Sequence, residues 1–270
     1  MADWKRFVQR TRRATKPVKI GIVGKYFGSG AFTLVDSYIS VIEAIKHAAW
    51  FHNRKPELIW LSAEQYESNP ASLKELAEFN GIIVPGGFGD RGVEGKIKAI
   101  QYVRTHKIPY LGLCYGLQLA VVEFARHVVG LKGAHTVEIN PETKYPVIET
   151  MPDQLVNIRE KRLGGSMRLG AYPCRLKANS KARMAYGTAT ISERHRHRYE
   201  INNEYLERIQ KKGFIASGIN PERNLVEIME LEGHPFFVGT QFHPELKSRP
   251  LRPHPLFREF IRVAANKRGK

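Results

Sequence analysis

The first half of the chain alternates between short apolar runs and stretches with helical spacing of apolar residues. Strands are predicted at 18–24, 58–61, 82–84 and 108–113, and helices at 37–52 with Asp36 as N-cap, 72–79, 95–105 and 116–128. Strands that alternate with helices are typical of a parallel sheet with right-handed crossovers. In such sheets ligands bind at the carboxyl ends of the strands, where two glycine-rich turns and Cys114 fall.

The pattern changes after Gly130 to loops and shorter runs that resemble antiparallel strands. These runs lie at 167–176, 214–219, 225–231 and 236–240, and a terminal helix is predicted at 256–265. We therefore predict an α/β fold with a mostly parallel central sheet flanked by helices and with additional antiparallel strands. One domain at 17–270 follows a basic linker or tail at 1–16.

Composition narrows the class of protein. The chain has 270 residues, of which 42% are hydrophobic and 26% charged, as in ordinary globular domains. No apolar run approaches the ~20 residues of a membrane-spanning helix, and the basic start lacks the apolar stretch of a signal peptide. Cys114 and Cys174 cannot build a disulfide scaffold, so we expect a cytoplasmic location.

The formal net charge of +17 suggests an anionic partner, but the charge is unevenly placed. Residues 159–198 hold eleven basic and two acidic groups, while 21–158 are nearly neutral. No signature of a nucleic-acid-binding fold is present. His195 and His197 have no Cys or acidic ligands beside them in the sequence, so no metal site is predicted. We interpret the two ends as solvated tails and the internal segment as a candidate for holding phosphate groups.

The most informative stretch surrounds Cys114. An apolar strand runs into Gly112-x-Cys114-x-Gly116, and a helix follows at once. This is the pattern of a nucleophile elbow, in which a sharp strand-to-helix turn exposes the nucleophile. A helix N-terminus next to a thiol favours the thiolate. The alternative is a buried structural cysteine, which is our interpretation of Cys174.

Two further segments supply partners for a thiol nucleophile. His243 and Glu245, in Gln-Phe-His-Pro-Glu, are candidates for a general base and the group that orients it. The turn at 84–89, with Gly86 and Gly87, can aim backbone N–H groups at an oxyanion. Neither glycine-rich turn matches the phosphate-loop pattern, so no ATP site is predicted.

These residues carry a family resemblance. Gly-Leu-Cys-x-Gly-Leu-Gln at 112–118 and the later Phe-His-Pro-Glu resemble the class I, triad-type glutamine amidotransferases. The blocks VPGGFGDRG (84–92), GGSMRLG (164–170) and ERHRHRYEIN (193–202) are most similar to the glutaminase domain of the CTP synthase family. The resemblance extends from about residue 18 to the C-terminus.

The resemblance implies roles for individual residues. Cys114 would attack the side-chain amide of L-glutamine and form a glutamyl thioester, with His243 as general acid and base and Glu245 orienting it. The backbone N–H groups of Gly87 and Tyr115 would form the oxyanion hole. Residues at positions that bind glutamine in the family are Gly86, Phe88, Gln118, Glu138 and Arg198. Arg91 matches an arginine associated with activation by GTP.

The resemblance also implies partners outside this sequence. The ammonia would be used to aminate UTP to CTP in a synthetase domain that the chain does not contain, so ATP and Mg are expected there, and no cofactor beyond possible GTP here. No nucleic acid or membrane is expected. Tyr115 departs from the family's usual leucine, 28–32 looks like an insertion, and 134–138 departs from the usual small-polar run but keeps Glu138. A free-standing glutaminase, a γ-glutamyl hydrolase and a catalytically weak regulatory module remain alternatives.

Overall fold

The computed structural model describes residues 1–24, 38–150 and 167–267. The strands are β1 (Lys16–Gly24), β2 (Arg54–Ser62), β3 (Gly81–Val84), β4 (Tyr110–Leu113), β5 (His135–Thr136), β6 (Pro146–Thr150), β7 (Arg168–Leu176), β8 (Thr190–His197), β9 (Tyr199–Ile201), β10 (Phe214–Ile219), β11 (Val226–Leu231) and β12 (Phe237–Thr240). The α-helices are α1 (Ala2–Arg13), α2 (Ile39–Phe51), α3 (Ala63–Ser68), α4 (Val93–Thr105), α5 (Tyr115–Phe124), α6 (Lys181–Tyr186), α7 (Asn203–Gln210) and α8 (Pro255–Ala265). Segments Pro70–Glu78 and Pro244–Lys247 are 3₁₀ helices, and a π-helical turn lies at Ala125–Val129.

A nine-stranded sheet of order β2-β1-β3-β4-β12-β11-β10-β7-β8 forms the centre of the described structure. The strands from β2 to β12 are parallel, and β11, β10, β7 and β8 continue the sheet in antiparallel fashion. A small sheet, β5-β6-β9, stands apart from it. The predicted fold class is confirmed. One strand differs from the prediction: β12, expected among the antiparallel strands, pairs in parallel with β4 and is antiparallel only to β11.

The central strands are buried on both faces, which explains their nearly continuous apolar sequences. Every residue of β3, β4 and β12 is buried. One hydrophobic cluster, which includes Ile97 and Leu117, packs α4 and α5 against one face of the sheet. A second cluster, which includes Ala48 and Phe257, packs α2 and α8 against the other face. The carboxyl ends of β3, β4 and β12 are thereby held side by side.

Several elements differ from the sequence-based prediction. The segment predicted as a tail contains α1, which has no buried residue and contacts α2 through Phe7 and Trp50, whose ring centroids are 5.7 Å apart. The helix predicted at 72–79 is a 3₁₀ helix, and the helix after Cys114 ends in the π turn. The predicted N-cap Asp36 and the insertion at 28–32 lie outside the described residues.

The Arg-His-Arg-His segment, to which the sequence analysis assigned no strand, forms the edge strand β8. Its burial alternates strictly, with Glu193, His195 and His197 buried and Arg194 and Arg196 exposed. The strand period is present, but polar residues occupy its buried positions. Among the described helices, none is long and apolar enough to cross a membrane.

Candidate active site

Cys114 occupies a strained turn between β4 and α5. Its backbone has φ 51° and ψ −98°, a region that residues other than glycine rarely adopt. Its N–H donates to the carbonyl oxygen of Thr240 at 2.6 Å, which ties the turn to the end of β12. A Cβ at Gly116 would collide with the carbonyl oxygen of Val84, so this turn requires glycine there. The predicted elbow geometry is therefore present.

His243 follows the next strand of the sheet, β12, and faces the same edge. Its backbone N–H donates to the carbonyl oxygen of Arg194 at 2.8 Å, so the edge strand β8 helps to fix it. Nδ1 of its ring lies 2.7 Å from Oε1 of Glu245, which is at the start of the 3₁₀ helix Pro244–Lys247. A Cβ built on Gly86 would lie 3.0 Å from Cε1 of His243 and 3.7 Å from Cβ of Cys114, so the three residues meet at one point.

The charge around His243 favours its protonated form. Burial opposes that form, but the neighbouring Cys114 and Glu245 outweigh burial and raise the pKa of His243 well above its ordinary value. Because Glu245 engages Nδ1, Nε2 is the ring nitrogen left for Cys114. An imidazole placed between a carboxylate and a thiol can exchange a proton with the sulfur.

A cavity of about 430 Å³ opens over these side chains. Among its lining residues are Cys114, His243, Glu245, Gly86, Gly87, Phe88 and Arg196. The cavity lies at the carboxyl ends of the strands, where parallel sheets bind ligands. A small polar molecule entering it would meet the thiol, the imidazole and the glycine-rich turn together.

The glycine-rich turn between β3 and α4 is held in place from two sides. The N–H of Gly89 donates to Oε1 of Glu138 at 2.9 Å, and the hydroxyl of Tyr115 donates to the carbonyl oxygen of Gly89 at 3.1 Å. Tyr115 is the first residue of α5, and the N–H groups of the first turn point out of the N-terminus of a helix. The residues predicted to form an oxyanion hole, Gly87 and Tyr115, are neighbours in the fold, since a Cβ built on Gly87 would lie 3.9 Å from Cδ1 of the Tyr115 ring.

The fold and this constellation agree with comparisons to known proteins. A family model described as glutamine amidotransferase class-I matches residues 33–263, which is most of the chain. The chain belongs to the class-I glutamine amidotransferase family. The predicted membership is thus confirmed.

Within the class-I glutamine amidotransferases, the chain is similar to CTP synthases. It is 51% identical over 267 residues to the CTP synthase of Caldanaerobacter subterraneus subsp. tengcongensis, covering 98% of this chain and 48% of that protein. It is 53% identical to the CTP synthase of Carboxydothermus hydrogenoformans, covering 97% of this chain and 47% of that protein. The chain thus spans about half the length of the curated relatives that it matches.

A solved structure matches the chain over nearly its whole length. This is the glutaminase domain of Trypanosoma brucei CTPS with bound acivicin, which is 35% identical with a TM-score of 0.83. The match covers 93% of this chain and 95% of that domain. The predicted kind of amidotransferase, a glutaminase domain of the CTP synthase type, is confirmed.

Of the residues predicted to bind glutamine in this amidotransferase, Gly86 and Phe88 line the cavity, whereas Gln118, Glu138 and Arg198 are not among its lining residues. Phe88 is 39% exposed. Glu138 and Arg198 act with opposite effect on the phenol of Tyr199: burial and Glu138 raise its pKa, and Arg198 lowers it.

Gln118 is buried and its side-chain amide is engaged by the protein. Nε2 of Gln118 donates to the carbonyl oxygen of Tyr199 at 2.8 Å and to Oε1 of Gln241 at 3.3 Å. Nε2 of Gln241 in turn donates to Sγ of Cys114 at 3.6 Å. Sequence reasoning did not assign a role to Gln241, although a polar residue inside the apolar stretch 236–242 signals a buried polar group with a partner.

A buried polar cluster, formed by His195, His197 and Glu227, lies next to the site. Nδ1 of His197 lies 3.2 Å from the carbonyl oxygen of Tyr199, which can only accept, so Nδ1 carries the proton and Nε2 accepts from Nδ1 of His195 at 2.9 Å. Nε2 of His195 then faces Oε2 of Glu227 at 3.4 Å. Burial lowers the pKa of His195 to about 2 and of His197 to about 3.

The pKa of the carboxyl group in this cluster, that of Glu227, shifts in the opposite direction. Burial raises the pKa of Glu227 to about 7, although Arg168, whose Nη2 lies 2.9 Å from Oε1, opposes the shift. A protonated Glu227 can donate to the bare nitrogen of His195, so one proton satisfies both atoms. The histidines predicted not to bind a metal are thus engaged in a hydrogen-bonded network next to His243.

Two other predicted residues lie apart from the cavity. Arg91 forms an ion pair with Glu64 in α3, its Nε lying 2.7 Å from Oε1, and its side chain is 54% exposed. Cys174 is fully buried in β7, where burial and Glu227 raise the pKa of its thiol. The described fold therefore brings Cys114 alone of the two cysteines to the cavity.

Proposed function

We propose that this chain hydrolyses L-glutamine to glutamate and ammonia, with Cys114 as the nucleophile. The observation that carries the proposal is the meeting of three groups at the mouth of one cavity: the thiol at a strained elbow, the His243–Glu245 pair and the glycine-rich turn. Membership of the class-I glutamine amidotransferases supports the same reaction.

The first half-reaction forms a thioester. The Cys114 thiolate attacks the carbonyl carbon of the side-chain amide, and the electron pair of the C=O bond moves to the oxygen. Protonated His243 then donates its proton to the amide nitrogen, the C–N bond breaks and ammonia leaves, which gives a γ-glutamyl thioester. The raised pKa of His243 suits this acid role, since the ring starts the step protonated.

The second half-reaction restores the enzyme. Neutral His243 accepts a proton from water as the water oxygen attacks the thioester carbon, and the C–S bond breaks to release glutamate and the thiolate. Glu245 holds the ring through Nδ1 and stabilises its charged form in both halves. The N–H groups of Gly87 and Tyr115 stabilise the oxyanion that forms in each half.

Recognition of the amino-acid end of glutamine falls to the charged residues around Tyr199. Glu138 suits the α-ammonium group, and Arg198 suits the α-carboxylate, because a guanidinium binds carboxylates through paired hydrogen bonds. Glu138 is held beside the glycine-rich turn, because its Oε1 accepts from the N–H of Gly89, the residue after Phe88. Phe88 and Gln118 complete the pocket, with Gln118 acting through its bond to Gln241.

The ammonia is destined for a synthetase domain that aminates UTP to CTP, as the likeness to CTP synthases supports. ATP and Mg belong to that domain. GTP is proposed as an activator that meets Arg91 and the basic segment 159–198, in which Arg194 and Arg196 point outward from β8. A reducing cytoplasm suits the two free cysteines.

The nucleophile assignment is tested by ammonia release from glutamine. Cys114→Ala is expected to lower the rate at least 1,000-fold, since the covalent route is lost, on the order of what removing a nucleophile costs elsewhere. Cys174→Ala is the matched control and keeps the wild-type rate. Activity near wild type in Cys114→Ala refutes the proposal.

The proposed GTP contact is tested by glutaminase assays with and without GTP. An unchanged effect of GTP on the rate in both Arg91→Ala and Arg194→Ala refutes this contact.

A further inference from the structure

We propose that the side chain of Tyr115 is a positioning residue that locks the glycine-rich turn in the geometry needed for the oxyanion hole. The proposal rests on the proposed glutaminase function and concerns a part of the site to which that function assigns only the backbone N–H of Tyr115. It predicts that the hydroxyl group contributes to turnover without touching the substrate.

The first observation is that Gly89 is clamped through both of its backbone polar groups. Its carbonyl oxygen accepts from the hydroxyl of Tyr115 at 3.1 Å, and its N–H donates to Oε1 of Glu138 at 2.9 Å. Gly89 has φ +76°, a conformation that few residues other than glycine adopt. Because glycine has no Cβ to restrict its backbone, the residue does not by itself hold the turn in one conformation. A side chain from α5 and one from the turn after β5 therefore fix the two peptide groups on either side of Gly89, which glycine would leave free to rotate.

The second observation is the packing of the ring beneath the turn. Tyr115 is 1% exposed, and a Cβ on Gly87 would touch both its Cδ1 and Nζ of Lys96 at 3.9 Å. The ammonium of Lys96, which is fully buried in α4, lies 5.3 Å from the centroid of the Tyr115 ring. A buried cation over an aromatic face is attracted by it, so the ring has one preferred position. The buried ring of Tyr115 therefore supports the glycine-rich turn at Gly87.

The third observation is the place of Tyr115 in the chain. It directly follows Cys114, and its N–H is the first of α5. One residue therefore links the nucleophile, one proposed oxyanion donor and, through its hydroxyl, the turn that carries the other donor at Gly87. Oxyanion donors act only within about 3 Å of the developing charge, and a small misplacement of a catalytic group can cost orders of magnitude in rate.

The test compares two reactions of the same thiol in the 270-residue chain. Glutamine hydrolysis forms an oxyanion, whereas alkylation of Cys114 by iodoacetamide displaces iodide and forms none. Tyr115→Phe keeps the ring and removes only the hydroxyl. It is expected to lower kcat about 10-fold, with KM changed less than about 3-fold and the alkylation rate unchanged, since a loosened donor costs less than the ~100-fold or more of a deleted one.

Tyr66→Phe is the matched control. Tyr66, in α3, is also fully buried and donates a hydrogen bond to Oε1 of Glu75 at 2.8 Å, in the 3₁₀ helix Pro70–Glu78. It is expected to keep the wild-type kcat, so a general effect of losing a buried tyrosine hydroxyl is separated from loss of the lock.

Two results overturn the proposal: a wild-type kcat in Tyr115→Phe, or a parallel loss of kcat and alkylation rate, which would mean that Tyr115 supports the thiol rather than the turn. Failure of the proposed glutaminase function would be seen separately: the wild-type chain would show no glutamine hydrolysis that depends on Cys114. In that event the lock has no oxyanion to serve and the inference falls with the function.

Discussion

Nδ1 of His243 lies 2.7 Å from Oε1 of Glu245, so the carboxylate holds the ring with its other nitrogen turned to the thiol. Together with Cys114, Glu245 raises the pKa of His243 against the opposing effect of burial. The pair therefore governs both the orientation and the charge of the proposed acid and base.

Glu245→Gln is expected to lower kcat for glutamine hydrolysis roughly 100-fold or more, because an amide keeps the shape but cannot stabilise a charged imidazole. The expected change in KM is small. Steady-state ammonia release measures both. Glu222→Gln, at an exposed acid between β10 and β11, is the control and keeps the wild-type rate. Equal rates for the two variants would show that Glu245 does not orient His243.

Gln241 is predicted to support the thiolate through its bond to Sγ of Cys114. Gln241→Leu removes the donor from a buried site, and iodoacetamide alkylation of Cys114 at neutral pH is expected to slow about 10-fold, which corresponds to roughly 1.4 kcal/mol for a hydrogen bond to a charged group. Tyr115→Phe is the natural comparison, since it is expected to slow hydrolysis and to leave alkylation unchanged. An unchanged alkylation rate in Gln241→Leu would contradict this role.

The buried His195–His197–Glu227 cluster predicts how stability depends on pH. Between pH 4.5 and 6.5 the unfolded chain protonates both histidines and the folded one does not, since their folded pKa values are about 2 and about 3. Glu227 acts oppositely, because its folded pKa of about 7 keeps it protonated there while the unfolded carboxyl is ionised. The unfolded state therefore binds one more proton net, and the cluster loses about 1.4 kcal/mol per pH unit on acidification.

Glu227→Gln isolates this balance. It removes the one group of the cluster that binds a proton in the folded state and not in the unfolded state. The unfolded chain then binds two more protons than the folded chain, both on the histidines. From pH 6.5 to 4.5 the cluster's share of the loss is expected to grow from about 3 to about 5 kcal/mol. Urea unfolding at both pH values measures the difference between variant and wild type. The same pH slope in both chains would show that Glu227 is ionised in the folded state.

The site residues that lie directly after an apolar strand were predictable from the sequence. Gly112 and Gly116 around Cys114 mark the elbow, and an apolar strand precedes His243. The parallel pairing of that strand with β4, which brings His243 to the same edge as Cys114, was not predicted. The apolar runs of β3 and β4 likewise predicted the buried centre of the sheet, because strands covered on both faces need apolar residues throughout.

Other parts were hidden for physical reasons. β8 has the period of a strand, but Glu193, His195 and His197 fill three of its four buried positions, so a hydrophobic pattern does not reveal it. α1 buries no residue and gives no apolar face to detect. The contact of Tyr115 with Gly89 depends on where the turn after β3 settles, which no local pattern encodes.

The central claim is that Cys114 carries a γ-glutamyl thioester during turnover. Acid quenching of the chain during glutamine hydrolysis, followed by mass analysis of its peptides, tests this most directly. The account predicts a mass increase of one glutamyl group on the peptide that contains Cys114, and none on the peptide that contains Cys174. Steady ammonia release with both peptides unmodified, and with a Cys114→Ala chain equally active, would contradict it.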